Sequence, residues 1–398
     1  MPLTRRGFAL GSAGTLVSGL SRPARAEAEP IRIGFLAALT GPASGPTRLG
    51  FDPGIRLAVE DLNATGGVLG RKIDLITRDT QSDPTKAVNA AQELMSQQKV
   101  HVMVGPINSG ETLAATPILA RVKMPNFHPC FVDSLIDPVK YPNAFRVNSR
   151  SGQLDEAVRN YVLDIAKVRD IAVMGDATGY GTSAVASSVA GFKAAGANVL
   201  YQSQIDATQP NVRPDLLRAQ AAGAKIIVLW SVSAELLSRL MNDRAQLGWD
   251  VPFVGHPSLG SGEVRNLLDK PSNWEKVYTL GFRSCAYNAT GKLPARTDAF
   301  VTRLHGKGVN LSDTVLYYIL NGYDLIALPV AAIKGAGGTD SDGIIKYMNT
   351  LEAGWPGLAA TFKFSPTQHN GLPTEEIVMV AANSMRDGAY NLAPGYGG

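Results

Sequence analysis

The chain has 398 residues, 45% of them hydrophobic and 18% charged, which is enough for about two domains. Its formal charge of +4 resides in the first 26 residues, which carry Arg5, Arg6, Arg22 and Arg25 and no acid; the rest holds 34 basic against 34 acidic residues. A formally neutral body excludes a basic surface for nucleic acid or anionic lipid, and having only Cys130 and Cys285 excludes a disulfide-dense scaffold.

The leader, MPLTRRGFALGSAGTLVSGLSRPARA, sets paired arginines before an apolar run from Phe8 to Leu20, then a small-x-small pattern at Ala24-Arg25-Ala26. That order predicts a signal peptide cleaved near Ala26, and TRRGFAL resembles the twin-arginine export signal. The run is shorter than the roughly 20 residues of a membrane span, so a soluble protein exported to the periplasm is expected. Cys130 and Cys285 are far apart in sequence and in no metal-ligand pattern, and both are expected to be free thiols.

From Ile31 the pattern repeats strand, loop, helix. IRIGFLAAL is an apolar run of strand length closed by Thr40-Gly41-Pro42. GIRLAVEDLNATGG has helical spacing and is stopped by Gly66-Gly67. KIDLITRDT alternates as a second strand, Asp83-Pro84 opens a helix through Met95, and HVMVG is a third strand. Residues 125–128 and 144–148 supply two short strands more. Near Arg150 a second series begins: helix QLDEAVRNYVLDIA, strand IAVMG, loop DATGYG, a helix over 182–195 and strand NVLYQSQI. It continues with a helix around 216–222, strand KIIVLW, helix SAELLSRLMNDRAQLG and strand PFVGH. From Val277 the order changes to strand YTLGF, a helix over 298–305 and a long apolar helix, DTVLYYILNGYDLIALPVAAI. Asp313, Asn321, Asp324 and Pro329 interrupt that helix too often for a membrane span. Residues 334–343 read as a loop, TFKFS and EEIVMVA as strands, and the end as frayed. Such alternation predicts an α/β fold with parallel sheets and right-handed crossovers. No dinucleotide glycine fingerprint and no Walker-type loop closes any strand.

The stretch VMVGPINSGET, residues 102–112, leads from a strand into the helix TLAATPILARVK. Ligands of open α/β sheets sit beyond the carboxyl ends of the strands. There the free N–H groups of a helix N-terminus and a hydroxyl such as Ser109, flanked by Asn108 and Gly110, can hold a carboxylate. The alternative is a loop that only caps its helix through Ser109 or Asn108.

Taken as a set, IGFLAALTGPASG, GIRLAVEDLNATGGVLGRKIDLITRDTQSDPTKAV, VMVGPINSG and GDATGYGTS resemble the periplasmic solute-binding proteins of branched-chain amino-acid type ABC importers, over nearly the whole chain from Ile31. The resemblance implies the type I periplasmic binding protein fold: two Rossmann-like lobes with parallel sheets, joined by three hinge crossovers and closing on one ligand. It assigns residues 30–149 with 281–375 to one lobe and 150–280 with 376–398 to the other. It implies a ligand carboxylate held by Ser109 and a backbone N–H near Cys130, with Tyr180 covering the ligand from the second lobe. It also implies a membrane permease and an ATPase as partners, a monomeric receptor, and no cofactor or metal.

In the family, amino-acid binders hold the ligand's ammonium with a Thr hydroxyl and an acid. Ungapped spacing puts Val132 at the first position and Pro257, beside His256 and Ser258, at the second; two aromatic positions fall on Pro46 and about Ser233. An ammonium buried there without partners would cost several kcal/mol. The expected ligand is therefore a carboxylate without an α-amino group: an aromatic, branched or 2-oxo acid. Phe131, Val132, Tyr180 and Trp230 offer apolar or aromatic surface, with core packing as the alternative for Phe131 and Trp230. His256 offers a donor to an oxo or hydroxyl oxygen, or is a surface histidine. His128 reads as packed, and Arg150 as a structural ion pair at the first crossover. Other readings are an amino-acid-binding protein of the same class, an exported sensor, and a hydrolase using Ser109 or Ser258 with His128 or His256. Against the hydrolase, no G-x-S-x-G elbow occurs and the five histidines are scattered.

Overall fold

The structure, a computed structural model, describes residues 28–41, 44–135, 137–177, 179–311 and 315–396; the leader and its cleavage pattern lie outside the described residues. β1 (Ile31–Ala37) is almost wholly apolar and buried because it lies between two parallel neighbours, β2 (Ile73–Asp79) and β3 (Val102–Val104). Between these strands run α1 (Asp52–Ala64) and α2 (Pro84–Ser96). The Asp83 carboxylate starts α2 by accepting the N–H groups of Thr85 and Lys86, with Pro84 in the first turn. After α3 (Ser109–Arg121), β4 (Asn126–His128) and β5 (Ala144–Arg146) complete a parallel sheet ordered β2-β1-β3-β4-β5.

α4 (Ser151–Asn160) then carries the chain to a second sheet. Its strands are β6 (Asp170–Asp176), β7 (Asn198–Ile205), β8 (Ile226–Trp230), β9 (Phe253–Gly255) and β10 (Val277–Phe282). The intervening helices are α5 (Gly179–Ala194), α6 (Arg213–Ala221), α7 (Ala234–Gln246) and the short α8 (Gly262–Asn266). Beyond β11 (Ala286–Tyr287), α9 (Ala295–Gly306), α10 (Leu316–Ala336) and α11 (Ser341–Met348) follow, then the strand pair β12 (Trp355–Pro356) and β13 (Thr361–Phe362). β14 (Ile377–Ala381) joins the edge of the second sheet, which runs β14-β10-β9-β8-β6-β7, and β15 (Tyr390–Asn391) pairs with β11. α10 packs against α1 so closely that a Cβ on Gly54 would lie 2.1 Å from the Ile319 carbonyl oxygen. The result is two Rossmann-like lobes, between which the chain passes three times: after β5, after β10 and before β14.

Several expectations are corrected. β14 pairs antiparallel with β10, because the chain reaches that edge without a βα crossover. The expected loop at 334–343 is only a tight turn. α10 runs to Ala336 and ends on Gly337 at φ 70°, and Asp340 caps α11 by accepting the Gly343 N–H at 2.9 Å. Of TFKFS only Thr361 and Phe362 form a strand, and Ser365 makes an isolated bridge to Gln368. The tail is tied down rather than frayed through Tyr396, whose hydroxyl accepts the Met379 N–H at 3.0 Å. Cys130 and Cys285 are free and buried, as expected.

Candidate ligand-binding cleft

Two glycines make the exits from β3 and β9 passable. Gly105, at φ 81°, would put a Cβ 2.5 Å from the Leu36 carbonyl oxygen; Gly255, at φ 146°, would put one 2.1 Å from that of Leu229. Any side chain would push these turns off the neighbouring strand. Both turns lead to one cavity of about 1080 Å³ between the sheets, bordered by residues at or just beyond the carboxyl ends of β3, β4, β8, β9 and β10. Phe282, Tyr317, Tyr318 and Tyr390 line it from the side of the crossovers, Tyr317 stacked on Phe282 and bonded through its hydroxyl to Asn148 at 2.9 Å.

On the first lobe, Ser109 opens α3, and its hydroxyl accepts the Phe131 N–H at 3.3 Å. The two groups expected to share a carboxylate therefore meet each other. Neither Ser109 nor Asn108 caps the helix with its side chain. Asn108 turns away from the cavity and donates to Glu111 at 2.8 Å, while the Thr112 hydroxyl fastens the turn to Pro106 and Asn108 carbonyls. Glu111 is buried, and burial raises its pKa against the opposing hydrogen bond from Asn108. Phe131 and Val132 lie in the wall, whereas Cys130 is fully buried behind them and the exposed Gly110 does not reach the cavity.

On the second lobe, Trp230 is 2% exposed yet borders the cavity, and its indole N–H has no partner among the described residues. His256, Pro257 and Ser258 line the cavity together. His256 Nδ1 accepts the Ser258 N–H at 3.1 Å, so the ring proton sits on Nε2. Burial lowers the His256 pKa to about 4, with the Asp176 charge only partly opposing, and the ring is neutral at pH 7. The side chain of Tyr180 lies outside the described residues. Of the two remaining aromatic positions, Pro46 borders the cavity, while Ser233 serves as the cap of α7.

Sequence spacing missed three acids that also border the cavity: Asp133, Asp155 and Glu263. Asp133 follows the expected loop by one residue, so a slightly wider reading would have found it; Asp155 and Glu263 arrive on α4 and α8 and left no local signal. Asp133 is paired with Arg150 at 3.6 Å and Asp155 with Arg159 at 2.7 Å. His128 is fully buried, and burial lowers its pKa to about 3. Neither the Ser109 nor the Ser258 hydroxyl bonds a histidine ring among the described residues.

A two-lobed α/β protein whose strand ends converge on an interlobe cavity is built to enclose a small ligand between its lobes. The chain matches the family described as periplasmic binding protein over residues 30–388, and it belongs to that family, which is one of solute-binding receptors rather than enzymes. It is 25% identical over 319 residues to Leu/Ile/Val-binding protein homolog 3 of Brucella melitensis, covering 79% of this chain and 82% of that one. It is 24% identical over 338 residues to the Amino acid binding protein of Pseudomonas aeruginosa, covering 85% and 86%. Among solved structures, the ABC transporter substrate-binding protein from Sphaerobacter thermophilus superposes with a TM-score of 0.76 at 20% identity, over 92% of this chain and 97% of that one. LivJ from Streptococcus pneumoniae, solved in complex with isoleucine, gives 0.72 at 20% identity over 92% and 99%. These superpositions speak for the fold alone.

Proposed function

We propose that this chain is the exported, periplasmic receptor of an ABC importer, closing its two lobes on a small carboxylate that lacks an α-amino group: an aromatic, branched or 2-oxo acid. The lobes are taken as residues 30–149 with 281–375 and 150–280 with 376–398. The carrying observation is the asymmetry of the cleft. One wall offers the Ser109 hydroxyl, at the N-terminal end of α3, to an anion. At the positions that spacing gives to ammonium partners stand Val132 and Pro257, which have neither hydroxyl nor charge. Two of the three acids on the wall are already paired with arginines. Ser109, Phe131, Val132, Trp230, His256 and Ser258 are the proposed contacts, with Tyr180 closing from the second lobe. A membrane permease and an ATPase take the solute onward, and the receptor works as a monomer. Ligand favours the closed form through contacts that only closure completes.

A second reading is an amino-acid receptor. It is favoured by Glu263, an exposed wall acid with no ion-pair partner among the described residues, and by relatives named for amino acids. A thermal-shift panel separates the two. Phenylacetate, 3-phenylpropanoate or 4-methyl-2-oxopentanoate should raise the melting temperature, whereas leucine and isoleucine should not. Leucine binding at micromolar concentration or tighter overturns the first reading. An exported sensor shares all these features and differs only in delivering the signal to a non-transport partner.

A further inference from the structure

We propose that Arg146, the last residue of β5, is a specificity-determining charge: a buried cation behind the first-lobe wall that favours an anionic head in the cleft and penalises a cationic one. The proposal rests on the carboxylate reading above.

Arg146 is 1% exposed. Its guanidinium donates from Nη1 to Asn370 Oδ1 at 3.1 Å and from Nη2 to the Val132 carbonyl, while Nε has no partner among the described residues. No carboxylate lies within ion-pair distance of it among the described residues, and Asp133, whose charge it feels, is turned to Arg150. Arg150 adds a second positive charge nearby, already paired with Asp133, and the nearest other titratable groups are uncharged. Burial keeps Cys130 a thiol and His128 an uncharged imidazole. A cation buried without a counter-charge is costly.

Arg244 shows that burial alone does not imply such a role. It is 6% exposed and also lacks an ion-paired acid among the described residues, but it donates to three carbonyls, those of Val251, Asn273 and Glu275, and stacks over Phe253 at 4.7 Å. Local structure accounts for Arg244. Arg146 has one carbonyl, one side-chain amide, the Cys130 thiol and an N–H unused among the described residues.

What distinguishes Arg146 is its location. The carbonyl it holds belongs to Val132, a cavity-wall residue, and the preceding residue, Phe131, gives its N–H to Ser109. The guanidinium thus stands directly behind the short segment against which a carboxylate would rest. An arriving anion supplies the missing counter-charge across that segment. An amide of the same shape gains nothing from it, and an ammonium is repelled. Discrimination then comes from an attractive element as well as from the missing ammonium partners.

The test compares phenylacetate, 3-phenylpropanoate and 4-methyl-2-oxopentanoate, each with its primary amide, by titration calorimetry on wild type, Arg146→Met and Arg146→Lys. The expected result is an acid-over-amide preference in wild type that falls by at least about tenfold in Arg146→Met, the equivalent of roughly one pKa unit of interaction. Arg146→Lys should keep most of it, with amide affinities changing less than those of the acids. An intact preference in Arg146→Met overturns the role of Arg146, as does an equal weakening of acid and amide, which marks a purely structural residue. Wild type that binds none of the acids better than its amide overturns the carboxylate reading itself. If Arg146→Met does not fold, wild type decides, because buried charge is screened little between about 0.05 and 0.5 M salt. A preference that changes by less than about threefold supports the proposal, and one that collapses overturns it.

Discussion

His128 offers a measurable consequence of how the first lobe is built. It ends β4 fully buried, with no partner for either ring nitrogen among the described residues. Burial, aided by the charge of Arg146, lowers its pKa from 6.5 to about 3. The native ring therefore stays neutral where the unfolded chain takes up a proton, and stability is lost as pH falls from 6.5 towards 3. At pH 5 the loss relative to pH 7.5 comes to about 2 kcal/mol. That figure is set by the unfolded pKa and holds for any native value well below 5. His128→Leu fills similar space without a titrating group. Chemical denaturation at both pH values should therefore show wild type losing about 2 kcal/mol more than the variant across the interval. His256 and His369, each held at about 4 by burial, contribute equally to both proteins and cancel. Equal losses in the two proteins would refute the assignment of a buried neutral imidazole.

Ser109→Ala should weaken binding of whichever acid shifts the melting temperature by about 1–3 kcal/mol; unchanged affinity removes Ser109 from the site. Glu263→Gln should change acid affinity by less than about threefold, since an exposed charge is weakly coupled to the anion end. A large loss of leucine binding in that variant would instead identify Glu263 as an ammonium partner. Asp324 is buried in α10 and accepts the N–H groups of Leu358 and Ala359, yet burial outweighs both bonds and raises its pKa to about 7. Its carboxyl carbon should titrate near pH 7 by NMR, and a midpoint below about 5 refutes this. Because the raised value favours the protonated native form, the associated stability is complete below about pH 4 and is lost as pH rises through 7, up to about 4 kcal/mol.

Much of the architecture could be read in the sequence because it is local. Apolar runs such as IRIGFLA and IIVLW mark strands buried on both faces, and VMVGPINSGET marks a strand turning into a helix at the end where ligands collect. Short-range signals misled where chemistry was ambiguous: Ser, Asp and Gly at 341–343 read as a loop, but Asp340 caps a helix there. The folded chain alone decided that Asn108 turns to Glu111, and that Asp133, Asp155 and Glu263 share the cavity wall with Ser109. It alone left Arg146, bonded to Asn370 more than two hundred residues away, without an ion-paired acid among the described residues behind that wall. Periodicity records which face of an element is buried; which distant charge lies across from it is set by how the lobes pack, and no pattern along the chain encodes that.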